Sequence, residues 1–257
     1  MTHPSLETRD LTIRFGGHVA VDAVSCAFHP GTLTSIVGPN GAGKTTYFNL
    51  ISGQLKASAG RVLVYGEDVT GLPAPGRTRR GLGRAFQLTN LFPNLTVLEN
   101  VRLAVQARRG LGLNLWSVWS RHRELIGEAE AVLERIALAD RRDALAASLP
   151  HGDQRKLEVG ILLAIEPEVF MFDEPTAGMS VDEVPVILDL IREIRRDRSK
   201  TVLLVEHKMD VVRELSDRII VLHNGRLVAD GDPAEVIASP VVQQAYLGLE
   251  PATEGAR

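Results

Sequence analysis

The sequence predicts an α/β fold with a largely parallel β-sheet, because short apolar segments of strand character alternate with segments of helical spacing. Leu33–Val37 is a compact apolar run followed by a glycine, which is typical of a buried strand. Later in the chain, an apolar strand (Val169–Phe172), a helix (Val184–Arg195) and another strand (Thr201–Val205) follow one another. The helix carries its apolar residues on one face and has a proline in its first turn, as expected for a helix packed on a sheet.

The first third of the chain predicts an antiparallel β subdomain. Leu11–Phe15 and Ala20–Phe28 alternate apolar and polar residues, and Gly16-Gly17 forms a turn between them. Arg61–Tyr65 and Gly66–Val69 indicate a further hairpin.

The middle of the chain, from Thr96 to Leu149, predicts an inserted helical subdomain. Its apolar residues recur at helical spacing, namely at Leu125, Ala129, Val132, Leu133 and Ile136. Beyond the third strand, Ile219–Leu222 and Arg226–Val228 flank an Asn-Gly turn and predict a hairpin. Asp232 and the proline after it then fit the start of a helix.

Composition excludes several classes of protein. The 257 residues carry a formal net charge of −3, which gives no indication of a nucleic-acid partner. Cys26 is the only cysteine, so an internal disulfide and a cysteine-rich metal site are both excluded. The N-terminal residues lack the apolar core of a secretory signal, and no apolar run approaches the roughly 20 residues that span a bilayer. We therefore expect a chain that does not itself enter the membrane.

A phosphate-binding loop is predicted between the strand Leu33–Val37 and a helix at Thr45–Ile51. The segment from Gly38 to Thr45 fits the pattern G-x-x-x-x-G-K-[ST], in which glycines let successive backbone N–H groups face one anion. Lys44 is expected to reach the β- and γ-phosphates, and the hydroxyl of Thr45 is expected to bind Mg²⁺. The predicted nucleotide-binding residues of this segment are Gly38, Pro39, Asn40, Gly41, Ala42, Gly43, Lys44, Thr45 and Thr46.

Two acids follow the apolar strand Val169–Phe172. Asp173 is expected to hold Mg²⁺ through its water shell, and Glu174 to act as the general base that polarises the attacking water. A pair of acids after an apolar run is also typical of a solvated strand end, but the phosphate loop upstream favours the functional interpretation.

Three further features bear on this site. His207 follows the strand Thr201–Val205, where an imidazole can donate to the γ-phosphate. Gln87 offers a neutral amide that can bind Mg²⁺ or hold a water. A basic cluster precedes Gln87 and consists of Arg77, Arg79, Arg80 and Arg84. We expect these residues to form a solvated loop rather than to contact anionic headgroups or a membrane subunit.

In this order and spacing, the motifs resemble those of the ATP-binding cassette family over nearly the whole chain. They are Phe15 near the start, the phosphate loop, Gln87, a signature segment at Leu149–Arg155 and His207 after the acidic pair. The resemblance implies a P-loop NTPase (RecA-like) core carrying the β subdomain and the helical insert. It implies one ATPase domain at 6–249, with the core at about 6–92 and 165–249, the helical subdomain at about 93–164, and a tail at 250–257.

The resemblance also implies roles for single residues. ATP and Mg²⁺ are the cofactors, and each ATP is held between two cassettes, by the phosphate loop of one and the signature of the other. Phe15 stacks on adenine, while Gln87 senses the γ-phosphate and contacts the membrane subunits. The catalytic residues are Glu174, His207 and Gln87. The Mg²⁺ ligands are Thr45, Gln87 and Asp173. The signature residues that face the partner's ATP are Leu149, Pro150, His151, Gly152 and Asp153.

The chain departs from the family pattern at two positions. Pro150 stands where the family usually has serine, and proline offers neither a hydroxyl nor a backbone N–H to a phosphate. Ser180 stands where many members carry aspartate. We expect the chain's own phosphate-loop site to be competent and the site that it completes for a partner to be weakened. A paralogue is therefore favoured over a second copy of this chain as the partner ATPase.

The long helical insert and five short segments resemble the ATPases of branched-chain amino acid importers more closely. The segments are those at 65–72, 83–87, 157–160, 206–209 and 245–248. A urea- or amide-importer ATPase is nearly as similar, and the ATPase of lipopolysaccharide export is a weaker match. The resemblance implies a cytoplasmic protein on the inner face of the cell membrane. Its partners would be polytopic permease subunits, a second ATPase and, indirectly, a substrate-binding protein, with no nucleic acid. A non-transport cassette ATPase and a P-loop kinase remain less favoured alternatives.

Overall fold

The computed structural model describes residues 3–85, 91–111 and 123–242.

The N-terminal strands form a four-stranded antiparallel sheet. In spatial order the strands are β2 (His18–Phe28), β1 (Leu6–Phe15), β4 (Ala59–Val64) and β5 (Glu67–Asp68). Both predicted N-terminal hairpins are confirmed. Strand β1 begins earlier than predicted, because a shift of register after Thr8, with Asp10 at a φ of 47°, breaks the alternation of apolar and polar residues.

A six-stranded sheet forms the centre of the molecule. Its spatial order is β10 (Arg226–Gly231), β9 (Arg218–His223), β3 (Leu33–Val37), β8 (Thr201–Val205), β7 (Val169–Asp173) and β6 (Leu82–Ala85). Neighbouring strands run parallel except for the hairpin β9–β10, so the prediction of a largely parallel sheet is confirmed. The sequence pattern missed β6, a short strand in which Gly83 and Arg84 interrupt the run of apolar residues.

The helices lie along the chain as α1 (Lys44–Ser52), α2 (Ala74–Thr78), α3 (Val97–Arg108), α4 (Arg123–Arg135), α5 (His151–Ile165), α6 (Val184–Arg196), α7 (Met209–Leu215) and α8 (Pro233–Ala238). Helix α3 begins with a capping box between Thr96 and Glu99, and Asp232 accepts a hydrogen bond from the N–H of Ala234 at the start of α8, as predicted. No described helix is long and apolar enough to cross a bilayer.

The central strands are buried on both faces, which explains their continuous apolar sequence. In β7, Phe170 and Phe172 join an apolar core shared with α3 to α6, while Val169 and Met171 join a second core beneath α1 and the antiparallel sheet. Cys26 lies buried in this second core. Helix α3 packs against α4 and α5, as an inserted helical unit requires. The domain boundaries given above stay a prediction.

Candidate nucleotide-binding site

Three glycines shape the loop between β3 and α1. Gly38, Gly41 and Gly43 have φ angles of 152°, 79° and 96°, in the region that side-chain-bearing residues rarely adopt. A Cβ at Gly38 would also collide with the carbonyl oxygen of Leu222, and one at Gly43 with that of Ala20. The loop is therefore packed on the ends of neighbouring strands and presents its backbone to the open side.

Lys44 is buried and bound to its own loop. Its Nζ donates to the carbonyl oxygens of Gly38 at 2.6 Å and Pro39 at 2.9 Å. Burial lowers the pKa of Lys44, and the nearby carboxylates of Glu174 and Asp173 oppose this effect. An incoming phosphate offers the ammonium a stronger, charged partner than these two carbonyl groups.

A cleft of about 270 Å³ opens above this loop. The described residues that line it are His18, Ala20, Asn40, Gly41, Ala42, Gly43, Lys44, Thr45, Thr46, Glu174 and His207. The phosphate loop after β3 and the residues after β7 and β8 thus meet at one edge of the parallel sheet, as the carboxyl ends of parallel strands should. The beginning of β2, from the antiparallel sheet, completes the lining. Phe15 is half exposed at the end of β1 and is not among the described residues that line this cleft.

Asp173, at the end of β7, is more enclosed than the sequence indicated. Its carboxylate is fully buried and its Oδ2 accepts a hydrogen bond of 2.6 Å from Nη2 of Arg84. Burial raises the pKa of Asp173, whereas the Arg84 guanidinium lowers it. The second oxygen, Oδ1, is buried and has no hydrogen-bond partner among the residues that the structure describes. Asp173 is close enough to Lys44 to act on the pKa of that amine, although it is not among the described residues that line the cleft. A buried carboxylate oxygen without a partner fits a hard cation such as Mg²⁺ or its water shell.

Glu174 turns the chain away from β7 and meets the loop after β8. Its backbone has a φ of 48°, which costs about 1–2 kcal/mol for a residue with a side chain. Its N–H donates to the carbonyl oxygen of Val205 at 2.9 Å, and its Oε1 accepts a hydrogen bond of 2.7 Å from Nε2 of His207. This backbone turn aims the carboxylate into the cleft, beside an imidazole that is also partly open to it.

Glu206 joins the loop that carries His207 to the loop that follows Glu174, a function that the sequence pattern did not reveal. It is buried, and its Oε1 accepts a hydrogen bond of 2.5 Å from the hydroxyl of Thr176 in the loop after Glu174. Its Oε2 accepts from the backbone N–H of His207 at 2.9 Å. One buried carboxylate thus fixes the loop that carries His207 relative to the loop that follows Glu174.

The signature segment leads into α5. Pro150 is the exposed residue before the helix, and no side-chain cap bonds the helix start there. A Cβ at Gly152 would collide with the carboxylate of Glu183, which accepts hydrogen bonds from the N–H and hydroxyl of Ser180 at 3.0 and 2.8 Å. Ser180 therefore anchors an acid over the signature glycine. Within this segment Leu149 and Asp153 are buried, whereas His151 is exposed.

The prediction of a solvated basic loop is wrong for two of its four arginines. Arg77 is buried and donates to the carbonyl oxygens of Leu50, Ile51, Thr70 and Leu72, so it caps the C-terminal end of α1. Arg84 is buried beside Asp173, whereas Arg79 and Arg80 are exposed as expected. Gln87 lies outside the described residues, so its predicted role stays a prediction.

Comparison with known proteins identifies the family. The family model described as "ABC transporter" matches residues 21–177, and one described as "Branched-chain amino acid ATP-binding cassette transporter" matches residues 226–250. The chain belongs to the ABC transporter family, so the predicted family and the predicted P-loop fold are confirmed. As a member of this family it is an ATP-binding subunit that hydrolyses ATP.

The most similar relatives include proteins of known transport systems. The chain is 39% identical to the high-affinity branched-chain amino acid transport ATP-binding protein LivG of Escherichia coli K12 over 96% of this chain and 99% of the relative. It is 37% identical to BraF of Pseudomonas aeruginosa, which carries the same description, with the same coverage of both chains. Among solved structures, the ADP conformation of an ATP-binding cassette from an ABC transporter matches with a TM-score of 0.80 at 30% identity, covering 96% of this chain and all of that one.

Proposed function

We propose that the chain powers the import of branched-chain or other hydrophobic amino acids through a membrane transporter. The observation that carries this proposal is the near-complete alignment with LivG and BraF, supported by the separate match of residues 226–250 to a branched-chain amino acid cassette model. The substrate itself is selected by other subunits, because the cleft in this chain is built for phosphates.

The residues around the cleft divide the work of hydrolysis. The phosphate loop and Lys44 hold the β- and γ-phosphates, with Lys44 exchanging its loop carbonyl partners for phosphate oxygens. Thr45, Asp173 and Gln87 would hold Mg²⁺, which would supply positive charge to the phosphate oxygens. Glu174 accepts a proton from the water that attacks the γ-phosphorus, and ADP leaves. Nε2 of His207 holds the Glu174 carboxylate in place. When ATP fills the cleft, the same N–H turns to the γ-phosphate and leaves the carboxylate free to accept the proton.

The remaining roles come from the family resemblance. Phe15 stacks on adenine, Gln87 contacts the permease subunits, and the segment Leu149–Asp153 completes the ATP site of a second cassette. In the assembly, the chain sits on the cytoplasmic face of the membrane with two polytopic permeases and a paralogous ATPase, and serves a substrate-binding protein indirectly.

The test of this function is purification of the chain from detergent-solubilised membranes of its host, followed by reconstitution in lipid vesicles. We expect two polytopic proteins and a second cassette ATPase to co-purify, and ATP-driven uptake of labelled leucine. The variant Glu174→Gln in the same vesicles is the control for uptake that depends on this chain. Uptake of urea but not leucine would replace the amino-acid assignment. Recovery of the chain alone, or with nucleic acid, would contradict a transport function.

A separate test addresses the ATP site that this chain completes for its partner, which we expect to be weakened by Pro150. Pro150→Ser restores the hydroxyl and the backbone N–H that the family usually has there. We expect ATP hydrolysis by the assembled transporter to rise, while ATP binding at this chain's own phosphate loop stays the same. An unchanged rate of hydrolysis would contradict the proposal that Pro150 weakens the partner's site.

A further inference from the structure

Arg84 connects the phosphate-binding helix to Asp173. Its Nη1 donates to Oδ1 of Asn49 at 2.7 Å and to the hydroxyl of Ser52 at 2.9 Å, both on α1. Its Nη2 donates to Oδ2 of Asp173 at 2.6 Å, and the guanidinium also stacks over the ring of Phe48 at 5.5 Å. One buried, planar group is thus held by the helix on one side and binds the acid on the other.

The contacts on α1 share a face with the phosphate-loop threonine. Thr45, Asn49 and Ser52 are spaced by four and three residues, so they lie in a row along one side of the helix. The first of them carries the hydroxyl proposed to bind Mg²⁺, and the other two bind Arg84. The position of the guanidinium therefore fixes the spacing between the polar face of α1 and the strand end that carries Asp173.

The hydrogen bond from Arg84 also determines the orientation of the second oxygen of Asp173, Oδ1. Of the two carboxylate oxygens of Asp173, Oδ2 accepts the hydrogen bond from Arg84, and the carboxylate is fully buried, so this contact sets where Oδ1 points. Oδ1 has no partner within the described part of the chain, which leaves it available to a cation or a cation-bound water. A carboxylate whose orientation is fixed by a second group binds a cation more tightly than one that must be oriented on binding.

We propose that Arg84 is a positioning residue for Mg²⁺: it fixes the orientation of the Asp173 carboxylate, whose Oδ1 would bind the cation or a water of its shell. This inference rests on the proposed Mg²⁺ role of Asp173 and adds a residue that acts through it. Arginine suits the task better than lysine, because its rigid fork reaches two elements at once.

The test is the affinity of the full-length chain for a non-hydrolysable ATP analogue, measured by calorimetry with Mg²⁺ and with EDTA. The quantity compared is the factor by which Mg²⁺ tightens binding. Arg84→Met is expected to reduce this factor by about tenfold while affinity in EDTA changes little, since orienting groups contribute about 10–100-fold to metal affinity. Arg84→Lys is expected to recover part of the loss. Arg80→Met, an exposed arginine paired with Glu67, is the matched control and is expected to change neither affinity.

Two further outcomes separate this inference from the proposed function. If the native chain binds the analogue equally well with and without Mg²⁺, the Mg²⁺ role itself fails. If Mg²⁺ tightens binding to the native chain and Arg84→Met leaves that factor unchanged or increases it, only the role of Arg84 is overturned. If Arg84→Met does not fold, Ser52→Ala and Asn49→Ala are used instead. Each removes one of the hydrogen bonds that hold Arg84 on α1 and keeps the ion pair between Arg84 and Asp173. Each of these variants is expected to reduce the factor by about twofold to threefold, which corresponds to about 0.5 kcal/mol for a partly lost neutral hydrogen bond. If neither variant reduces the factor, the inference is overturned.

Discussion

Nε2 of His207 lies 2.7 Å from Oε1 of Glu174, although the two residues follow different strands, β8 and β7. The strands are neighbours in the parallel sheet, so their carboxyl ends deliver an imidazole and a carboxylate to the same edge of the phosphate cleft. The contact holds the carboxylate of Glu174, the proposed base, at the edge of the cleft, so little rotation of this side chain is needed for hydrolysis.

Replacing Glu174 by glutamine should abolish turnover without abolishing binding. Glutamine has the same shape but cannot accept a proton at neutral pH, so we expect phosphate release to fall by at least about 100-fold. ATP binding by calorimetry should stay close to that of the native chain. Glu168→Gln, at the opposite end of β7, is the control. Hydrolysis at a near-native rate in Glu174→Gln would show that another group is the base.

His207→Ala should slow hydrolysis because it removes both the hydrogen bond to Glu174 and the donor proposed for the γ-phosphate. We expect kcat to fall by about 100-fold, the size of losing one donor to a developing charge. His207→Gln keeps a donor and should retain more activity than alanine. His223→Ala, at the end of β9 and outside the lining of the cleft, should leave kcat unchanged. Equal rates for alanine and glutamine at position 207 would contradict a donor role.

Glu206 should act through His207 rather than on ATP. We expect Glu206→Ala to lower kcat about tenfold with little change in KM, because the buried carboxylate that accepts from the His207 N–H is lost. In the double variant with His207→Ala, the loss of Glu206 should have almost no further effect, since residues acting as one unit are not additive. Additive losses in kcat would show that Glu206 has a separate role.

Nucleotide binding should be accompanied by proton uptake at alkaline pH. Burial lowers the pKa of Lys44 in the free chain, and bound phosphates raise it again, so between these two pKa values binding protonates the amine. Affinity for ATP should therefore fall as the pH rises through the lowered pKa. Calorimetry in buffers of different ionisation enthalpy measures the uptake. Lys56→Met, an exposed lysine beyond α1, should not change it, and binding without proton uptake across the alkaline range would contradict the mechanism.

Arg77→Met should destabilise the fold strongly. The substitution keeps an apolar stem but removes the guanidinium donor of four carbonyl groups around the end of α1. The carbonyl oxygen of Leu50 retains a hydrogen bond from the N–H of Gly53. Buried groups left unpaired cost about 1–3 kcal/mol each, and part of this is relieved by relaxation, so we expect a loss of about 3 kcal/mol. Urea unfolding measures it. The exposed Arg79→Met should change stability by less than about 0.5 kcal/mol; equal effects would contradict the capping role.

Local patterns predicted the strands other than β6, together with the phosphate loop and the acidic pair, because each of these is encoded by adjacent residues. The roles of Arg77, Arg84 and Glu206 were not predictable in this way, since each depends on partners far along the chain. The sequence around Arg77 and Arg84 is basic and contains glycines, so it predicts a solvated loop. In the structure Arg84 binds Asp173 and Arg77 binds the end of α1, and neither partner is adjacent in sequence. Strand β1 shows the same limit, because its bulge interrupts the period on which the prediction depends.

The one cysteine of the chain has a practical value for following how two cassettes move. Cys26 is buried against Tyr47, and burial raises the pKa of its thiol to about 11. At neutral pH only about 10⁻⁴ of such a thiol is ionised, and the thiolate is the form that reacts with maleimides. Spin labels or fluorophores can therefore be attached at cysteines introduced on the surface, without first removing the native one. Distances between a labelled chain and a labelled partner would then report the opening and closing of the assembly in real time.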